Sequence, residues 1–264
     1  MTRADLAQLL APLELHDNNV IVHATLSSFG STGVTPLLIC EALIESVGPT
    51  GTLVMPAFTY TDTLFVDGTA PVAFRPESPV CPEVGVIAET FRTLPGVLRS
   101  SHPSHSFASY GRHARDVLST QRDNNPLGPI KKLNLLQGYV LLLGAGLRTA
   151  TVCYLAEEMA PFRYLQRGSG LRMNASGFEE RVVLEIVPGC GRGFEQLESR
   201  IDAEQVLSAP LPSGTARKLP IRYLVRLATD ALQDDPLVFV CDRTDCRSCA
   251  AKRAAVGVAA SVAV

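Results

Sequence analysis

His102 and His105 are the two residues whose type and spacing most directly indicate chemistry. They stand three positions apart in RSSHPSHSFASYG, residues 99–111, with Pro103 between them. An imidazole titrates near neutral pH, so either ring could act as a general base. Two other interpretations are a metal-binding pair and two polar residues of an irregular loop. The intervening proline disfavours a helical ligand face, and no neighbouring cysteine or acid completes a tetrahedral set, so the pattern favours a base.

The cysteines near the C-terminus indicate a second kind of chemistry. Cys241, Cys246 and Cys249 form a C-x4-C-x2-C pattern in CDRTDCRSC, and Cys190 in PGCGRGF is a distant candidate for a fourth ligand. Four thiolates would make a closed structural zinc site. The alternative is a set of reduced thiols without a metal, and an iron–sulfur centre is less favoured because nothing else indicates redox chemistry. With zinc bound, we expect a clasp at 241–249 that holds the C-terminus against residues 180–195.

A loop of small and hydroxyl-bearing residues is the third candidate site. It reads HATLSSFGSTG at residues 23–33 and follows a predicted strand. Backbone N–H groups in such strand-to-helix loops can bind anionic parts of a ligand. The spacing matches neither G-x-G-x-x-G nor a P-loop, so a plain connection is the alternative. The residues that we assign to ligand binding are His23, Thr25, Leu26, Ser27, Ser28, Phe29 and Gly30.

The elements that must position these residues follow from the hydrophobic pattern. A compact apolar strand at 20–22, an amphipathic helix at 35–47 and a second strand at 52–55 form a βαβ unit, which is typical of a parallel sheet. YVLLLGAG, ending in glycines, indicates a central parallel strand. Further helices are predicted at 2–12, 84–94, 149–159, 194–207 and 220–232. We predict an α/β fold: a mainly parallel central sheet flanked by helices, with a β-rich excursion.

The remaining segments complete a single predicted domain over residues 1–264. SGFEERVVLEIVPG has the alternation of a β-ribbon, PLVFVC is typical of a strand, and the irregular stretch 59–82 is typical of a binding loop. The tail AAVGVAASVAV is expected to be a final strand or a frayed end. Specificity is expected to lie in the loops at 59–82 and 119–132.

Composition limits the partners. Of the 264 residues, 46% are hydrophobic and 19% charged, and the formal net charge is −2. This balance supplies no general attraction to nucleic acid or to an anionic membrane, so a small-molecule ligand is expected. The N-terminus does not have the pattern of a secretory signal, and no apolar run is long enough for a membrane helix. These features predict a cytoplasmic protein.

Several blocks of the sequence, in their order and spacing, resemble one known family. They are VIVHATLSSFGSTGVTPLLICEALIESVGPTGTLVMPAFTYT, VGVIAETFRTLPGVLRSSHPSHSFASYG, YVLLLGAG and TVCYLAEE. Together they resemble the aminoglycoside N3-acetyltransferases, over roughly residues 3 to 200. The resemblance implies an α/β fold unrelated to the GNAT acetyltransferases. It also implies transfer of an acetyl group from acetyl-CoA to an amine of a small molecule, either aminoglycoside-like or a biosynthetic intermediate.

The resemblance also implies roles for particular residues. His102 and His105 match the family block that carries an active-site histidine, and Glu157 matches a glutamate that could orient the base or hold the substrate ammonium. The family has a second histidine where this chain has Tyr154. A tyrosine is a poor base at neutral pH, so His102 or His105 must accept the proton if transfer occurs. A CoA-binding protein without transfer activity and a CoA thioesterase are the alternatives, although no G-x-S-x-G elbow supports the common hydrolase form.

Overall fold

The computed structural model describes residues 1–63, 71–161, 166–186 and 189–262. The strands within these ranges are β1 Asn19–Ala24, β2 Thr52–Pro56, β3 Leu98–Arg99, β4 Phe107–Gly111, β5 Tyr139–Leu143, β6 Gln166–Met173, β7 Glu179–Ile186, β8 Leu207–Leu211 and β9 Gly214–Pro220. The α-helices are α1 Arg3–Leu10, α2 Pro36–Val47, α3 Tyr60–Thr63, α4 Val86–Arg92, α5 Ala114–Leu118, α6 Gly128–Leu135, α7 Tyr154–Met159, α8 Ile221–Asp234 and α9 Arg247–Val262. Short 3₁₀ segments lie at Ala11–Leu13, Leu26–Phe29, Pro82–Val84, Leu147–Thr149, Thr151–Cys153, Arg192–Arg200 and Ala203–Gln205.

Seven strands form one sheet in the order β3-β4-β2-β1-β5-β9-β8. Its centre is parallel, because β1 pairs in parallel with both β2 and β5, as the βαβ pattern predicts. Both sides of this centre are extended by antiparallel strands, β4 and β3 beside β2, and β9 and β8 beside β5. The predicted α/β class is confirmed, and among the described residues two of the sheet's six strand pairings are parallel and four are antiparallel. The antiparallel edges could not be inferred from strand patterns, which do not identify pairing partners.

The central strands are buried on both faces, which explains their continuous apolar sequences. Successive side chains of a strand point to opposite faces. Thus Ile21 of β1 packs with α6 and α8 on one face, whereas Val20 and Val22 pack with α1 and α2 on the other. Thr35 caps α2 by accepting the N–H of Leu38 at 3.2 Å, and a proline follows at the first helical position. The sheet is therefore a layer between two helical layers.

The predicted excursion is a separate two-stranded sheet. Strands β6 and β7 pair in antiparallel register from Gln166 opposite Ile186 to Met173 opposite Glu179. This confirms the β-ribbon. The stretch 59–82 begins with α3 and contains Phe74, which bridges to Arg172 of the ribbon. Residues 64–70 of that predicted binding loop lie outside the described residues.

Two predicted strands are wrong. PLVFVC forms turns, because Phe239 packs edge-on against Phe194, with ring centres 5.0 Å apart, and contacts the backbone at Gly193. The tail is helical up to Val262 as part of α9, since its alanines favour helix more strongly than its valines favour strand. The helix predicted at 194–207 is instead two 3₁₀ segments. No helix in the described ranges has both the length and the apolar character needed to cross a membrane.

Candidate active site

A cavity of 840 Å³, here called the larger cavity, lies at the carboxyl ends of the parallel strands. Its walls include His23 and Ala24 from β1 and Met55 and Pro56 from β2. Ligands commonly bind at this edge of open α/β sheets. The loop after the first strand, which is the predicted ligand-binding loop, contributes Thr25 and Leu26 to the same cavity.

The structure brings His105 to this cavity through an antiparallel pairing. Strand β4 runs beside β2 with Phe107 opposite Pro56, and the Ala57 N–H donates to the Ser106 carbonyl at 2.8 Å. The start of β4 therefore meets the end of β2, where the cavity opens. His105 lines the cavity among aromatic rings, with the centre of the Phe58 ring 5.0 Å away.

His102 lies on the other side of the same loop. Its ring lines a separate cavity of 530 Å³, the smaller cavity, together with Arg99, Arg115, Arg122 and Arg172. The two predicted histidines are therefore neighbours that face different spaces. Only His105 faces the larger cavity.

A serine hydroxyl connects the two imidazoles. Ser104 Oγ lies 2.7 Å from His105 Nδ1 and 3.4 Å from His102 Nδ1. The His102 Nδ1 atom also accepts a hydrogen bond from the backbone N–H of His105 at 3.1 Å. Nδ1 of His102 is therefore unprotonated, and the proton of the neutral ring is assigned to Nε2. Ser104 Oγ can accept the Nδ1–H of His105 and donate its own proton to His102 Nδ1, which leaves the Nε2 lone pair of His105 available to the cavity.

Burial keeps these imidazoles neutral. Desolvation lowers the pKa of His105 to about 3, and nearby His102 contributes to the shift. Desolvation and then the Arg172 charge lower the pKa of His102 to about 4. His23 lies 3.3 Å from the Thr151 hydroxyl, and burial lowers its pKa to about 3. The neutral imidazole of His105 has the free lone pair that a base requires, and its low pKa makes it a weak base until negative charge nearby raises that pKa.

Tyr154 also lines the larger cavity, at the start of α7. Its ring packs edge-on against Phe194 with ring centres 4.9 Å apart. Burial and the nearby Glu157 raise the pKa of the phenol well above its usual value. The hydroxyl therefore keeps its proton and can donate a hydrogen bond, but it cannot replace a histidine base.

Glu157 lies one helical turn after Tyr154 and is 1% exposed. Its Oε1 atom accepts a hydrogen bond from Lys252 of α9, and its Oε2 atom has no partner within the described part of the chain. Burial raises the pKa of Glu157, and the Lys252 ammonium opposes that rise. The carboxylate is thus behind the cavity wall and does not itself line the cavity.

The residues predicted in the first loop divide into three groups. His23, Thr25 and Leu26 line the larger cavity. Ser28 and Phe29 are buried instead: the Ser28 hydroxyl donates to the Thr25 carbonyl at 2.6 Å, and Phe29 packs in the core. The loop forms a 3₁₀ turn at Leu26–Phe29, whose first N–H groups have no carbonyl partner within the turn. Ser27 and Gly30 are exposed and do not line the cavity.

Several cavity residues were not predicted from the sequence. Tyr60, Glu83, Arg148, Arg192 and Thr151 line the larger cavity. Tyr60 and Glu83 lie within or beside the stretch 59–82, where the irregular composition indicated a binding loop without indicating which residues face the ligand. The two arginines come from 3₁₀ segments that no sequence pattern distinguished.

The four cysteines meet at one edge of the larger cavity. Cys190, Cys241, Cys246 and Cys249 place their Sγ atoms within 4.8 Å of one another. The Cys241 N–H donates to Cys249 Sγ at 3.3 Å. Cys190 and Cys246 also line the cavity. The predicted assembly of a distant Cys190 with the C-terminal pattern is therefore present as a geometric cluster.

Solved structures of known proteins share this architecture. The apoenzyme of aminoglycoside acetyltransferase AAC(3)-IVa is 31% identical, with a TM-score of 0.79 over 96% of this chain and 97% of that chain. A complex of AAC-IIIb with CoASH is 27% identical, with a TM-score of 0.78 over 89% and 97% of the two chains. The fold and the cavity together define an α/β acetyltransferase.

The sequence matches specify the family. A family model described as aminoglycoside 3-N-acetyltransferase matches residues 21–233. Aminoglycoside N(3)-acetyltransferase IV of a Salmonella species is 34% identical over 234 residues, which are 84% of this chain and 83% of the relative. The acetyltransferase-like protein YokD of Bacillus subtilis (strain 168) is 32% identical over 57% of this chain and 62% of its own length. The chain belongs to the aminoglycoside 3-N-acetyltransferase family and is an N-acetyltransferase.

Proposed function

We propose that the chain transfers the acetyl group of acetyl-CoA to an amine of a small molecule in the larger cavity, with His105 as the general base. The observation that carries this proposal is the position of the His105 imidazole, which lines the larger cavity at the carboxyl edge of the sheet. The relative bound to CoASH supports a CoA thioester as donor. A variant of AAC(3)-IVa in complex with a gentamicin supports an amine-bearing acceptor.

The charges of the cavity suit these two substrates. Arg148 and Arg192 line it, and guanidinium groups bind the phosphates that CoA carries. Glu83 lines it as well and can attract the acceptor ammonium. The acceptor is an aminoglycoside-like amine or a biosynthetic intermediate that carries an amine.

The reaction needs one proton acceptor and one set of donors. The amine lone pair attacks the thioester carbonyl carbon, and His105 Nε2 takes the amine proton. The carbonyl oxygen gains negative charge, which the backbone N–H of Leu26 at the start of the 3₁₀ turn and the Tyr154 hydroxyl can stabilise. The C–S bond then breaks and CoA leaves as a thiolate. His102 keeps His105 in place through its hydrogen bond to the His105 backbone.

The test is a measurement of CoA release with and without amines. Purified protein is given acetyl-CoA and a panel of aminoglycosides and simpler amines, and the product is identified by mass spectrometry. We expect CoA release that requires an amine and yields an N-acetylated product. CoA release without any amine, or acetyl-CoA binding without turnover on the whole panel, would contradict the proposal.

We further propose that Cys190, Cys241, Cys246 and Cys249 hold a structural Zn²⁺. Tetrahedral Zn–S bonds of ~2.3 Å place sulfur atoms ~3.8 Å apart, and the four Sγ atoms need only a small contraction to reach this spacing. Four protein ligands leave no open position, so such an ion would join α9 to the Cys190 loop and perform no chemistry. Cysteines in a metal-binding arrangement are typical of proteins in a reducing compartment, so we also propose a cytoplasmic location.

A further inference from the structure

Lys252 of α9 is a buried lysine next to the active site. Its side chain is 1% exposed. The ammonium group donates to Glu157 Oε1 and, at 3.1 Å, to the Cys190 carbonyl. It also lies 5.7 Å from the centre of the Tyr154 ring. One side chain therefore contacts α7, the Cys190 loop and the aromatic wall of the larger cavity.

The cysteine cluster fixes the position of the helical turn that carries Lys252. Cys249 precedes Lys252 by one turn of the same helix, so the two side chains project from neighbouring positions on one face. Cys249 in turn contacts Cys241 and Cys190 within the cluster. Contacts among the four cysteines thus hold the turn of α9 from which the Lys252 ammonium group reaches Glu157.

Glu157 needs this partner to remain charged and fixed. A buried carboxylate without a counter-charge is strongly destabilised. Glu157 has no other hydrogen-bond partner within the described residues. Because Tyr154 lies three positions earlier on the same face of the short helix α7, a shift of Glu157 is transmitted to the cavity wall.

We propose that Lys252 is a positioning residue for acetyl transfer: its ammonium group holds Glu157 in place and, through Glu157, also Tyr154. The cysteine cluster in turn fixes the part of α9 that carries Lys252. The kinetic part of this inference rests on the proposed function. The positional part concerns only the residues of this chain and can be measured without turnover.

The kinetic test compares Lys252→Met, Glu157→Gln and the double variant with Lys218→Met. Lys218 is a matched control, since it is also buried, at 5% exposed, but donates to the Glu14 carbonyl far from the cavity. We expect kcat to fall about 10- to 100-fold in both single variants, with little change in KM for acetyl-CoA. A displacement of Tyr154 in the cavity wall lowers the rate of the chemical step more than it weakens acetyl-CoA binding. Lys218→Met should lower Tm and keep kcat.

The double variant separates positioning from mere stability. Removing both charges leaves no unpaired buried ion, so its Tm should exceed that of Lys252→Met. Its kcat should stay as low as in Glu157→Gln, because the two residues act through one contact. Recovery of kcat together with Tm would overturn the proposal. Zinc content is measured in every variant, and Lys252→Met should retain the metal content of the unmodified protein.

A fluorescence test does not depend on the reaction. The chain has no tryptophan, so Tyr154→Trp introduces a single reporter at the cavity wall. We expect its emission maximum to shift when Lys252→Met is added and to stay unchanged with Lys218→Met. An unchanged spectrum in the Lys252→Met background would overturn the inference even if acetyl transfer is confirmed. A shift in a protein without transfer activity would refute the proposed function alone.

Discussion

His102 and His105 face different cavities although only two residues separate them. The backbone N–H of His105 donates to His102 Nδ1. The His102 ring therefore stabilises the loop conformation in which the His105 ring faces the larger cavity. The sequence pattern could not assign the base to either residue, since both match the same block. The structure separates them, because His105 lines the larger cavity with Phe58 and Tyr60, whereas His102 lines the smaller cavity with Arg172.

Replacing His105 should abolish most of the catalysis. We expect His105→Asn to lower kcat about 10²- to 10⁴-fold, the usual contribution of a general base. His102→Asn should lower Tm, because two backbone N–H groups lose their acceptor, while kcat falls less than in the first variant. Steady-state kinetics and thermal denaturation check both. A larger loss of kcat in His102→Asn than in His105→Asn would reverse the assignment.

The buried histidines should make the fold sensitive to acid. Their pKa values lie at about 3 for His23 and His105 and at about 4 for His102, below the unfolded value of about 6.5. The unfolded chain therefore binds more protons below pH 6.5, and stability falls as the pH drops from there toward the folded pKa values. Each histidine contributes a slope of ~1.4 kcal/mol per pH unit in that window.

Thermal denaturation between pH 7.5 and 4.5 measures this dependence. His23→Asn should flatten the decline below pH 6.5, because the replacement removes one of the buried neutral imidazoles. A constant Tm from pH 7.5 to pH 5 would show that the three imidazoles are not buried in their neutral forms.

The sequence predicted the centre of the fold better than its edges. The strand at 20–22 and the helix at 35–47 were recognisable because their patterns are local. The antiparallel strands β4 and β9, and the contact of Lys252 with Glu157 across 95 positions, depend on long-range pairing that no local pattern encodes. Phe239 shows the opposite error: its apolar segment resembles a strand, but packing on Phe194 holds it in turns.

Removing one thiol of the cysteine cluster should release the proposed zinc. We expect Cys249→Ser to retain less than ~0.1 equivalent of zinc and to unfold more than about 5 °C below the unmodified protein, because metal binding contributes directly to folding. Cys40→Ala is the matched control, since Cys40 is buried outside the cluster. Elemental analysis of protein prepared without added zinc measures occupancy. Less than ~0.1 equivalent in the unmodified protein would exclude the site.

Gly144, directly after β5, should tolerate no side chain. It has φ of +66°, and a Cβ atom there would lie 2.0 Å from Ser28 Cβ in the candidate donor loop. We expect Gly144→Ala to cost more than ~2 kcal/mol of unfolding free energy and to raise KM for acetyl-CoA, because Ser28 must move and displace the cavity residue Thr25.

Gly177 also has positive φ, at +80°, but a Cβ atom there meets nothing within 4 Å. Gly177→Ala should therefore cost only the backbone strain of ~1–2 kcal/mol and leave KM unchanged. Urea denaturation and steady-state kinetics compare the two, and equal effects on KM would show that the contact between Gly144 and Ser28 does not determine the shape of the loop.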